Sequence, residues 1–116
     1  MKRNRKASHG KVRTGLEILV DREKDKLKGV GIGMLAHAAS VTPSIQYAWD
    51  ALCGLPELRL KALFSPEHGL MGTHQDQEGV EQLEDTRCEG VPVYSLYGKD
   101  AASLRPSREM LEGVDL

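Results

Sequence analysis

No stretch of these 116 residues approaches the ~20 consecutive apolar side chains a helix needs to span a bilayer. Cysteine is scarce too: Cys53 and Cys88 stand alone, with no C-x-x-C spacing that would suggest a zinc site or a redox pair. The start, Met1 to Lys11, is basic but has no apolar core behind it, so it does not read as a secretory signal. Together these absences predict a cytoplasmic chain with two free thiols. Excess charge is missing as well, the formal net charge being -1, but the balance is uneven along the chain. Residues 1–13 carry six Lys/Arg and no acid, which leaves ten Lys/Arg against 17 Asp/Glu in the rest. An acidic body is a poor nucleic-acid surface, because clustered cations supply phosphate affinity. A P-loop and a G-x-S-x-G elbow are also absent.

What remains is globular in composition, with 40% hydrophobic and 28% charged residues. Residues 1–13 read as a disordered basic tail and 14–116 as the folded part. Thr14 is placed to cap a helix over 15–29, with Leu16, Leu19, Val20 and Leu27 at helical spacing and Gly29 as its stop. The run 30–36 has no polar face and reads as a buried parallel strand. A loop over 37–44 follows, with Ser44 capping a second helix from 45 to 53 that Gly54 and Pro56 end. Strands are then predicted at 58–64 and 91–97, separated by a polar stretch over 70–90 that holds six acids and one Arg. A short helix over 106–113 leads into Val114–Leu116, the opening of a fourth strand. Strands alternating with helices predict an α/β fold with a parallel sheet. Ending on a strand's first residues, the chain reads as the front part of a longer, truncated domain. The G-x-G-x-G pattern of glycines 29, 31 and 33 runs into the first strand and does not sit in the turn after it, so it predicts close packing against a helix, not a dinucleotide cradle.

Ligands of open α/β sheets bind beyond the carboxyl ends of the strands. The predicted strands deliver His37, then Ser65, Glu67 and His68, then Tyr97 to that edge. Glu67 is flanked by Pro66, which stiffens the turn, and by His68 and Gly69. A carboxyl on a rigid strand-end turn can be desolvated and act as a general acid. In the plainer reading Glu67 caps a helix or pairs with a surface cation. His37 and His68 are fit to orient Glu67 or bind substrate. With His74 they also form a rival metal-hydrolase set, although their spacing matches no chelating motif and no cofactor is expected. Asp76 and Glu78 are the acids of the polar stretch nearest the Glu67 turn. Trp49 reads as core, and Tyr97, at a strand end, as the better platform or hydrogen-bond candidate.

Five blocks in order carry a family resemblance: Thr14-Gly-Leu-Glu-Ile-Leu, Val30-Gly-Ile-Gly-Met-Leu-Ala-His-Ala-Ala-Ser-Val, Ala62-Leu-Phe-Ser-Pro-Glu-His-Gly-Leu-Met-Gly, Val91-Pro-Val-Tyr-Ser-Leu-Tyr-Gly and Pro106-Ser-Arg-Glu-Met-Leu-Glu-Gly-Val-Asp-Leu. From about Val12 to Leu116 the chain resembles the start of the exo-β-N-acetylmuramidase (NamZ-like) peptidoglycan glycosidases. The resemblance implies a Rossmann-like catalytic domain followed by a smaller one. It implies release of N-acetylmuramic acid from non-reducing ends of peptidoglycan fragments, with muropeptides as partners and a role in cell-wall turnover. Glu67 would then be the catalytic residue, with His37, Ser65, His68 and Tyr97 around the sugar. Relatives so implied include exported proteins. The alternatives are a non-catalytic remnant or sugar-binding module, and the metal-dependent hydrolase.

Overall fold

The structure is a computed structural model that describes residues 10–66, 70, 80–82, 88–98 and 100–116. Its centre is a four-stranded sheet in the order β1-β2-β4-β3, with β1 at Gly31–Leu35, β2 at Arg59–Ser65, β3 at Val80–Gln82 and β4 at Pro92–Ser95. The strands β1, β2 and β4 run parallel, as the alternating pattern predicts, and β3 is antiparallel to β4. That fourth strand lies inside the stretch predicted to be a polar loop. Three residues with one apolar side chain give too little alternation to be seen in sequence.

The first helical run begins as α1, Gly15–Ile18, under a complete capping box. Glu17 N–H donates to Thr14 Oγ1 at 3.2 Å, and Thr14 N–H donates back to Glu17 Oε2 at 2.8 Å. Beyond Ile18 the predicted single helix changes hydrogen-bond register twice, to a π turn at Leu19–Glu23 and a 3-10 turn at Lys24–Leu27. Residues 21–26 are all charged, so nothing between Val20 and Leu27 anchors a regular α-turn to the sheet. Gly29, at φ 77°, then reverses the chain into β1.

The second helix, α2, is shorter than predicted, spanning Ala48–Cys53 with Tyr47 and not Ser44 as its N-cap. Val41 and Tyr47 form an antiparallel bridge, and Thr42 N–H donates to Gln46 O at 2.8 Å, so residues 42–46 close a tight turn. Ile45 sits at φ 64° within it, a conformation no helix can include. The predicted helix over 106–113 is likewise a run of turns closed by i→i+3 bonds, among them Leu111 N–H to Arg108 O. A 3-10 turn at Ala101–Leu104, capped by Asp100, precedes it.

Two clusters fill the core. Ala36, Trp49, Leu63, Leu70, Cys88 and Val93 form one, in which Trp49 is core as expected and stacks on Tyr47 at 4.4 Å between ring centroids. Ile32, Leu52 and Leu58 form the other, under Leu16, Leu19, Val20 and Leu27. Cys53 and Cys88 are joined in a disulfide, with Cα atoms 5.4 Å apart. This overturns the expectation of two free thiols: α2 and the turn before β4 pack together and bring the two sulfurs into bonding range.

The last residues run along the free edge of β1. Gly33 N–H donates to Leu116 O at 2.9 Å, and Asp115 N–H donates to Gly31 O at 2.7 Å. Asp115 Oδ2 also accepts from Gly31 N–H at 2.8 Å. The segment predicted to open a fourth strand is thus bonded to the edge of β1, although it is not itself a regular strand. It also corrects the reason for the glycines: a Cβ on Gly31 would lie 1.9 Å from Gly113 O, so the close neighbour is this segment and not a helix. Among the described residues no helix is long and apolar enough to cross a membrane.

Candidate functional site at the carboxyl edge of the sheet

Hydrogen bonding carries the parallel ladder one step past each strand end. Ala36 N–H donates to Phe64 O at 3.0 Å, and Leu96 N–H donates to Ser65 O at 2.8 Å. The chain therefore leaves β1, β2 and β4 at one level, with β2 in the middle. Neighbouring strands lie about 4.8 Å apart, so the outer two tips are separated by about 10 Å. His37, Ser65 and Tyr97 are brought to this edge by adjacent strands.

His37 is exposed, in a turn built from its own neighbours. Its Nδ1 accepts from Ala39 N–H at 3.0 Å, and its N–H donates to Ser40 Oγ at 3.2 Å. Occupation of Nδ1 as an acceptor puts the proton of the neutral ring on Nε2. The side chain thus offers a donor suited to an oxygen-rich ligand.

Ser65 differs from the other two, being wholly buried. Its Oγ has no hydrogen-bond partner among the described residues, a state that costs about 1–3 kcal/mol for a buried hydroxyl. Its ladder partner is Ser95, so the two hydroxyls share one face of the sheet. Leu70, five residues on, is again buried, at 4% exposure. Glu67 and His68, the other residues predicted for the site, lie between these two anchors but outside the described residues. So do His74, Asp76 and Glu78. Among the described residues no group of three or more His, Cys, Asp or Glu is placed to hold a metal ion.

Tyr97 stands at the β4 tip with 40% of its surface exposed. Its backbone is bonded to Ser95 Oγ, a residue that the sequence reading passed over. The signal was present, since a serine two residues before a strand-end residue is the pattern of a side-chain-closed turn. A cavity of about 550 Å³ lies elsewhere, between α1 and the turn 42–46, and none of His37, Ser65 or Tyr97 lines it.

Residues 32–116 match the family model described as the N-terminal part of the exo-β-N-acetylmuramidase NamZ. The chain belongs to the NamZ N-terminal family. It is 41% identical over 114 residues to the peptidoglycan β-N-acetylmuramidase NamZ of Bacillus subtilis, a match covering 98% of this chain and 27% of that protein. It is also similar to the crystal structure of a DUF1343 family protein from Bacteroides fragilis, with a TM-score of 0.69 and 33% identity. That likeness covers 89% of this chain and 24% of the other. The chain thus spans about a quarter of the length of these NamZ-family relatives, and its sheet, with flanking helices, is the fold the family resemblance implied.

Proposed function

We propose that this chain carries the acid-bearing part of an exo-β-N-acetylmuramidase, which removes N-acetylmuramic acid from non-reducing ends of peptidoglycan fragments during cell-wall turnover. Residues 14–116 are then the N-terminal part of the catalytic domain, and 1–13 a basic tail. Glu67 protonates the glycosidic oxygen as the bond to the leaving sugar breaks. His37 donates from Nε2 to a sugar oxygen, and His68 lines the same pocket. Tyr97 packs against the ring, and Ser65 supports the turn from beneath. A glycosidase of this kind needs a second carboxylate, about 5 Å from the acid for retention or roughly 6.5–9.5 Å for inversion. Within this chain, Asp76 and Glu78 are the nearest candidates in sequence.

The observation that carries this reading is the backbone ladder at the carboxyl edge. The tips bearing His37 and Tyr97 flank the end of the middle strand at the buried Ser65, and Glu67 comes two residues later in the sequence. Membership of the NamZ family supports the substrate class. The Cys53–Cys88 bridge fits a compartment where disulfides persist better than the reducing cytoplasm that the sequence alone suggested.

The test is hydrolysis of a chromogenic β-N-acetylmuramide by the protein with Glu67 intact and with Glu67→Gln. Loss of about 100-fold or more in kcat is expected for a removed general acid. Equal turnover by the variant would remove Glu67 from the role. Because the chain spans about a quarter of its relatives, a second reading is a module that binds the sugar without cleaving it. Binding without turnover by both forms would establish that one.

A further inference from the structure

Tyr97 is held more firmly than an exposed loop side chain requires. Its N–H donates to Ser95 Oγ at 3.2 Å, and the same hydroxyl donates to Tyr97 O at 3.2 Å. One residue on, Gly98 N–H donates to Ser103 Oγ at 2.9 Å. The Ser103 hydroxyl in turn donates to Asp100 O at 2.6 Å, and Ser103 N–H donates to Asp100 Oδ1 at 3.1 Å. Gly98 completes the arrangement by its lack of a side chain. A Cβ there would come within 2.8 Å of Ser103 Cβ and 2.9 Å of its Oγ, forcing the hydroxyl away.

These bonds fix the main chain on both sides of one half-exposed aromatic ring. They do not bury it. Their effect is to restrict where the ring stands before any ligand arrives, which lowers the ordering cost of binding. We propose that Ser95 and Ser103 are positioning residues that hold Tyr97 as a pre-set platform for one face of a pyranoside. The inference rests on the reading of this edge as a sugar site and adds to it the source of its rigidity. The ring face meets the C–H face of the sugar, and the phenolic hydroxyl reaches the sugar oxygens. The 3-10 turn at Ala101–Leu104, which no sequence signal linked to the site, thereby becomes part of it through Ser103.

The experiment uses the full chain and methyl β-N-acetylmuramide as probe, titrated by calorimetry, with thermal unfolding and amide exchange measured on the same samples. Ser95→Ala and Ser103→Ala are each expected to weaken binding about threefold to tenfold, as for one side chain that must now be ordered on binding. Tyr97→Ala should weaken it at least as much, and Ser95→Thr, which keeps the hydroxyl, should bind nearly as the unsubstituted chain does. Unfolding midpoints should stay within about 2 °C, as for surface substitutions. Exchange of the Tyr97 amide should rise in Ser95→Ala, and that of Gly98 in Ser103→Ala. If Tyr97→Ala weakens binding but the two serine variants do not, the positioning role is overturned. If Tyr97→Ala binds as well as the unsubstituted chain, Tyr97 is not a platform. Failure of the unsubstituted chain to bind the probe would overturn the sugar-site reading itself. Unchanged amide exchange in the serine variants would overturn the clamp whatever the sugar result.

Discussion

The bodies of the three parallel strands and their carboxyl tips are held by different forces. In the bodies, Ile32, Leu63 and Val93 are fixed by burial, at 8%, 0% and 2% exposure. At the two outer tips, His37 and Tyr97 remain in solvent, and serine hydroxyls from Ser40 and Ser95 set their backbones. Only the middle tip, at Ser65, is held as the bodies are. A core side chain gains by leaving water, whereas burial does little to hold a side chain left in solvent, so its backbone is set by short-range hydrogen bonds.

This contrast is open to attack at three levels. The largest expected effect is loss of the Cys53–Cys88 bridge, which joins residues 35 apart in sequence and encloses β2. Chain-entropy arguments put its stabilisation at about 4 kcal/mol. Denaturant unfolding of the reduced chain, or of Cys53→Ser with Cys88→Ser, should show a loss of that size. A midpoint unchanged by reductant would mean that the bridge does not stabilise the fold. Next comes Leu63→Ala in the middle of β2. A fully buried leucine truncated in a packed sheet should cost about 3 kcal/mol, readable in the same unfolding curves. A cost under about 1 kcal/mol would place the core elsewhere. The smallest effect belongs to a tip. Ser40→Ala removes one exposed hydrogen bond to His37 N–H and should cost no more than about 1 kcal/mol. Its signature is local, a faster exchange of the His37 amide. Global destabilisation as large as that of Leu63→Ala would erase the distinction between body and tip.

The same contrast explains what could be read before the structure was seen. Each of β1, β2 and β4 holds buried residues within an apolar-rich run, so each is located to within about two residues even though Leu35, Arg59 and Lys61 are exposed, and the carboxyl edge follows from their order. Thr14 was legible as a cap because its box with Glu17 is local. Elements that depend on partners distant in sequence were not. The strand β3 exists only because β4 offers it an edge, and Gly31 is small because Gly113, 82 residues later, passes against it. The disulfide was misjudged because compartment was inferred from a leader, while the pairing depends on how α2 meets the turn before β4. At the strand tips, the positions of His37 and Tyr97 are legible from strand order, whereas the hydrogen bonds of Ser95 and Ser103 are not, because those hydroxyls act on backbone.

The bridge has one more consequence. Cys53 and Cys88 bracket every peptide bond from the end of α2, through β2 and β3, to the turn before β4. A protease cutting once anywhere in that span would leave both pieces tethered to each other. On a non-reducing gel such a nicked molecule would run at unchanged mass, and it would fall into two fragments only when thiol was added. Loss of β2 or β3 from the sheet would then need a second cut within the same span.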